Sequence, residues 1–236
     1  MKKVIHRAGT RGHSDHGWLD SYHTFSFADY HDPERIHFGA LRVLNDDTVA
    51  GGEGFGAHPH DNMEIVSIPL EGELRHQDSM GHTSVLRTGE IQVMTAGTGI
   101  IHSEFNNSPD RPVKFLQIWV FPDRRGLPTR YEEITLAPAR TNELRTIVAP
   151  EGNGSEYTAW IHQSAWFHTL NLEKDTYEYA MRREGNGLYV FVLEGDVTVE
   201  NEKLASRDGM GIWEQNDITL HTDGKASLLL IEVPMR

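Results

Sequence analysis

Two short segments of this chain could do chemistry together. His58-Pro59-His60 sets two imidazoles two residues apart, and His102-Ser103-Glu104 sets an imidazole and a carboxylate at the same spacing. In an extended chain, residues i and i+2 point to the same face. Each segment can therefore supply two ligands from one strand, and two such strands facing into a barrel would bring four ligands to one point. Three nitrogens and one oxygen suit a first-row divalent metal, and an octahedral ion would keep two positions open. Parity alone does not choose the carboxylate. Glu64, four residues beyond His60, points inward by the same count as Glu104.

Glycines frame both segments. Written from Gly52 to Gly72 the first reads G-x5-H-x-H-x3-E-x7-G, and from Gly89 to Asn106 the second reads G-x5-T-x-G-x4-H-x3-N. The pair resembles the two-part cupin signature, with Thr95 where that family usually has proline and slightly longer spacings at two places. Cupins are small β-barrels that hold a metal in the mouth of a jelly roll.

The elements that must position these ligands read as strands almost throughout. Runs such as Glu64–Leu70, Phe115–Phe121, Leu188–Leu193 and Leu228–Val233 are rich in β-branched and aromatic residues and are bounded by Gly, Asn, Asp and Pro. No window shows convincing 3.6-residue periodicity over the ~10–12 residues of an average helix. Leu70-Glu71-Gly72-Glu73-Leu74 recurs as Leu193-Glu194-Gly195-Asp196-Val197, and Thr88–Val93 has a counterpart in Asp208–Ile212. Each half then closes on an apolar strand. The repeat distance far exceeds the ~20–50 residues of solenoids, so the expected architecture is all-β, a bicupin of two jelly-roll β-barrel domains. Residues 1–130 form the N-terminal metal-binding domain and 131–236 a C-terminal cupin domain without a metal site, with the linker around 122–138. In the second half His221 falls near the counterpart of His102, but the counterparts of the H-x-H pair lie near Met181 and Arg183. His13, His16 and His23 read as a turn with hydrogen-bonded side chains. His76 and His82 flank the turn 77–81 and are expected to be solvated.

Composition narrows the class of function. The chain of 236 residues has no cysteine, which removes disulfides, thiolate catalysis, iron–sulfur clusters and cysteine zinc sites. With 22 Lys+Arg against 35 Asp+Glu, the net charge of −13 gives no footprint for direct nucleic-acid binding or for an anionic membrane. The N-terminal residues show no signal-peptide pattern, and no run approaches the ~18–20 apolar residues of a membrane helix. The expected location is cytoplasmic.

A closer resemblance rests on three stretches. Arg11-Gly12-His13 with His16–Phe27, Phe55–Glu64 and Gly97–Glu104 look like the pirin family, across most of the first half and more loosely in the second. Pirins are two-cupin proteins whose N-terminal barrel carries one metal, usually iron, so the resemblance implies iron(II), with other first-row divalent metals able to substitute. It places the ligands on His58, His60, His102 and Glu104, and leaves Glu64 as a candidate that supports the ligands from behind. Bacterial relatives can act as quercetinases, opening the central ring of a flavonol with dioxygen and releasing carbon monoxide. Eukaryotic pirin is an iron-containing transcriptional co-regulator that binds protein partners. The implied function is a metal-dependent dioxygenase of quercetin 2,3-dioxygenase type, with a flavonol-like substrate, O2 and Glu104 as both ligand and general base. The alternative is an iron-binding regulatory protein acting through a protein partner.

Overall fold

Strand alternation is clearest at Ile100–Asn106, where Ile100, His102, Glu104 and Asn106 are buried while Ile101 is 51% exposed. The computed structural model describes residues 1–235. Its regular elements are strands in three sheets plus one 3-10 turn at Ala8–Thr10, and among the described residues no helix is long and apolar enough to cross a membrane.

A seven-stranded sheet runs in the order Arg130–Thr135, Glu90–Thr95, Glu64–Glu71, Val113–Val120, Leu41–Val49, Leu19–His23 and Gly12–Asp15. A four-stranded sheet, in the order Gly54–His60, Ile100–Asn106, Glu73–Asp78 and Thr83–Arg87, packs across it to complete the first barrel. Leu74 and Leu86 of the smaller sheet meet Leu19, Val49, Val113 and Phe115 of the larger one. Ile65, Met94, Ala96 and Ile100 form a second small apolar cluster.

The second barrel is one sheet whose path is Lys2–His6, Gly209–Trp213, Asn186–Gly195, Asp217–Pro234, Trp166–Ala180, Leu144–Pro150 and Ala159–Ile161. Its two long strands, of 15 and 18 residues, pair along most of their length. The largest apolar cluster lies between the barrels, where Leu44, Val66, Leu116 and Ile118 meet Phe167, Phe191, Leu229 and Ile231.

The sequence repeat has a backbone cause. Gly72 and Gly195 turn between strands with φ of 80° and 79°, a region where L side chains are strained. A Cβ would also meet the Pro112 carbonyl oxygen at 2.9 Å in the first turn and the Lys225 carbonyl oxygen at 1.9 Å in the second. The segment 122–138, expected as a linker, contains the strand Arg130–Thr135 at the edge of the first barrel's sheet. Its Pro- and charge-rich composition conceals the alternation that packs Tyr131 and Ile134 on opposite faces.

Candidate metal centre

The Ile100–Asn106 strand is the spine of the site. It pairs on one side with Gly54–His60, setting His102 opposite His58, and on the other with Glu73–Asp78, setting Glu104 opposite His76. A register shift between His102 and Glu104 relaxes the pairing with the His58 strand at the site itself. Ring centroids are 4.4 Å apart for His58 and His102, 4.8 Å for His58 and His60, and 4.8 Å for His60 and His102. One ring nitrogen of each of these three lies within 4.8 Å of the others.

The donor chemistry fits a metal. His102 is 2% exposed, and neither of its ring nitrogens has a hydrogen-bond partner. Buried imidazoles are rarely left so, because each unpaired polar group costs about 1–3 kcal/mol. Burial, reinforced by His58 and His60, holds the His102 pKa down to about 2, and burial followed by His58 holds that of His60 near 4. Both rings are therefore neutral at pH 7, with lone pairs available. The ring Nδ1 of His58 lies 2.8 Å from the Gly56 carbonyl oxygen, which can only accept. That contact puts the proton on Nδ1 and leaves Nε2 bare for coordination.

Glu104 is fully buried beside them, in a second group of possible ligands with His76 and His102. The amide of Gln117 donates to one carboxylate oxygen at 2.9 Å and the Ser67 hydroxyl to the other at 3.3 Å. Burial outweighs these two bonds and pushes the Glu104 pKa up to about 7. Ser67 and Gln117 belong to a polar row in register across five strands of the larger sheet: Gln92, Ser67, Gln117, Asn45 and His23. All five are buried.

Glu64 stands elsewhere. Its side chain shares the face of Val66 and Ile68, turned toward the second barrel, and is bonded to Thr95 Oγ1 at 2.9 Å and His162 Nδ1 at 3.1 Å. The inward count from His60 fails because residues 61–63 are not strand. Asn62 has φ of 47°, and the turn is fixed by its amide N–H donating to the Gly97 carbonyl. The structure thus brings His58, His60 and His102 together with Glu104 beside them, and leaves Glu64 at the barrel interface.

His76 departs from expectation in the other direction. It is completely buried, its ring 4.6 Å from that of Tyr131 in a stacked arrangement and 5.3 Å from that of His102. Its Nε2 lies 3.2 Å from the Asp78 carboxylate, and its Nδ1 has no partner. Burial lowers its pKa against the opposing pull of Asp78. The turn began later than the sequence suggested, and the alternating Leu74, His76 and Asp78 share one inward face. Leu74 was the available signal. His82 remains exposed at the rim, its Nδ1 2.9 Å from Asp78.

The other histidines lie outside both groups of possible ligands found among the described residues. His13 bonds Asp20 at 2.6 Å, and His23 bonds Asn45 at 3.0 Å. Both nitrogens of His221 are used, by Thr176 and Asp223. A cavity of about 360 Å³ opens over the cluster, with Trp18, Phe27, Phe55 and Trp119 among its walls and His58, His60 and Glu104 in its lining. That volume falls within the range of small-molecule sites.

Comparison with known proteins gives the family and fold. The pirin family model matches residues 4–120, and the quercetinase C-terminal cupin domain model matches 146–233. The quercetin 2,3-dioxygenase of Escherichia coli K12 is 39% identical over 230 residues, 98% of each chain. A relative from Mycobacterium tuberculosis is 49% identical over 231 residues, covering 97% of this chain and 94% of that one. The crystal structure of the bacterial pirin YhhW from Escherichia coli in complex with nickel(II) superposes with a TM-score of 0.92 at 37% identity, over 99% of both chains. This chain belongs to the pirin family, with a pirin domain followed by a quercetinase-type C-terminal cupin.

Proposed function

We propose that this protein is a metal-dependent dioxygenase of the quercetin 2,3-dioxygenase type, acting on a flavonol-like substrate with O2. One observation carries the reading: His102, buried and without a protein partner, converges with His58 and His60 beneath an aromatic-walled cavity. Relatives named for quercetin cleavage support the substrate class. His58, His60, His102 and Glu104 would hold one divalent ion, with iron(II) expected and nickel precedented in a relative. When bound, such an ion supplies Lewis acidity toward a phenolate oxygen and couples the electron-rich ring to O2.

The chain's own groups do the rest. The neutral imidazoles of His60 and His102 offer lone pairs without having to lose protons. Trp119 and Phe27, in edge-to-face contact at 5.3 Å, form one aromatic wall of the cavity against which a planar ring can pack. Glu104, in the cavity lining, can take the proton of the substrate's hydroxyl, and Ser67 and Gln117 hold its carboxyl in place. Lack of cysteine and a charge of −13 fit a cytoplasmic enzyme that makes no direct contact with nucleic acid.

The test is turnover by iron-loaded protein prepared without oxygen and then aerated with quercetin. The expected result is loss of flavonol absorbance matched by O2 uptake and carbon monoxide release. Fully loaded protein that leaves quercetin intact would make the protein-partner regulatory role the better reading.

A further inference from the structure

The cavity has a second polar feature that the metal centre does not use. Asp46 and Asp47 are neighbours on the strand Leu41–Val49 and point to opposite faces of the larger sheet. Asp46 is paired with Arg11 and Arg207, each at 3.2 Å. Asp47 lines the cavity, is 4% exposed, and among the described residues forms no ion pair. One of its oxygens accepts a hydrogen bond from Ser21, its cross-strand partner, and no described residue bonds the other. A carboxyl buried without a cation is costly unless something else satisfies it. Nearby in the same lining, Gln117 Oε1 and Trp119 Nε1 are also buried without partners. The histidine cluster is carried by the four-stranded sheet and Asp47 by the seven-stranded sheet, so the cavity runs between two different sets of polar groups.

We propose that Asp47, oriented by Ser21, is a second recognition point that binds a hydroxyl of the aromatic ligand remote from the oxygen facing the histidine cluster. The pocket then selects polyhydroxylated aromatic ligands over those with a single hydroxyl. The placement of the ligand rests on the dioxygenase reading. The selectivity is this residue's own contribution, made by filling an otherwise unpaired acceptor. Burial pushes the Asp47 pKa up to about 7, so at pH 8 the carboxylate is charged. A hydrogen bond to a charged group corresponds to about 10–100-fold in affinity.

The test is a binding ratio, measured at pH 8 on zinc- or nickel-loaded protein without O2. Dissociation constants for 3-hydroxyflavone, with one hydroxyl, and for quercetin are read from ligand absorbance. Wild type is expected to favour quercetin by about 10–100-fold, and Asp47→Leu to bring the ratio within about threefold of one. Ser21→Ala should give an intermediate ratio, because the carboxyl remains but is no longer held. Should Asp47→Leu fail to load metal, Asp47→Asn carries the comparison, with one acceptor kept and the charge removed. An unchanged ratio in a metal-loaded Asp47 variant overturns the proposal alone, even where iron-loaded wild type cleaves quercetin. Wild type that binds neither flavonol overturns the dioxygenase reading and this proposal with it.

Discussion

The two barrels share a strand order and a glycine turn, yet their interiors differ in how much polar surface they hold and how it is satisfied. The second is filled mainly by Leu170, Leu188, Val190, Leu228, Leu230 and their neighbours in one apolar cluster, and its buried His168, Tyr179 and Glu232 bond to one another. Burying each such apolar side chain contributes about 1.5–3 kcal/mol, and close packing leaves no room for a ligand. In the first barrel the apolar contacts are divided between two smaller clusters. Histidines, Glu104 and the polar row from Gln92 to His23 occupy the interior with them. One architecture can thus be stabilised from inside or can give up part of that stabilisation to hold a site. The first barrel compensates on its outer face, where Leu44, Val66, Leu116 and Ile118 share the large interface cluster.

The largest expected effect tests the asymmetry directly. His102→Ala should abolish metal binding, while His221→Ala should leave content at one ion per chain by elemental analysis. His221 already has both nitrogens bonded and is expected to contribute no ligand. Two tightly held ions per wild-type chain would break the contrast between the barrels.

A smaller effect sharpens the role of Glu104. Its pKa is raised to about 7, so below that pH a proton competes with the ion for the same carboxylate. This one group should make metal affinity fall by about tenfold per pH unit as pH drops below about 7. Glu104→Gln should bind more weakly at pH 8 and lose one proton from the pH slope. An identical slope in both proteins would remove Glu104 from the ligand set. The smallest effect belongs to Glu64. Facing Thr95 and His162 at the barrel interface, Glu64→Gln should change metal affinity by less than the ~10–100-fold typical of residues that bond directly to ligands.

The sequence made the histidine cluster legible because H-x-H and H-x-E are local devices whose geometry follows from strand parity. Parity stopped being informative at Asn62, whose left-handed turn intervenes before Glu64. The burial of His76 depends on Glu104 across one strand pair and on Tyr131 more than fifty residues away, so no local pattern announces its surroundings. The glycine repeat disclosed two similar barrels. It could not disclose that Lys2–His6 pairs with Gly209–Trp213 in the second barrel, or that Arg130–Thr135 pairs with the first.

That exchange of strands has a consequence during synthesis. Lys2–His6 leaves the ribosome some two hundred residues before its partner Gly209–Trp213. At about 5–20 residues per second the wait is roughly 10–40 s. Throughout it the nascent segment has no sheet to join, and its two lysines discourage a wrong neighbour from pairing with it. Closure of the second barrel thus waits on a strand some two hundred residues downstream of the edge strand it must capture.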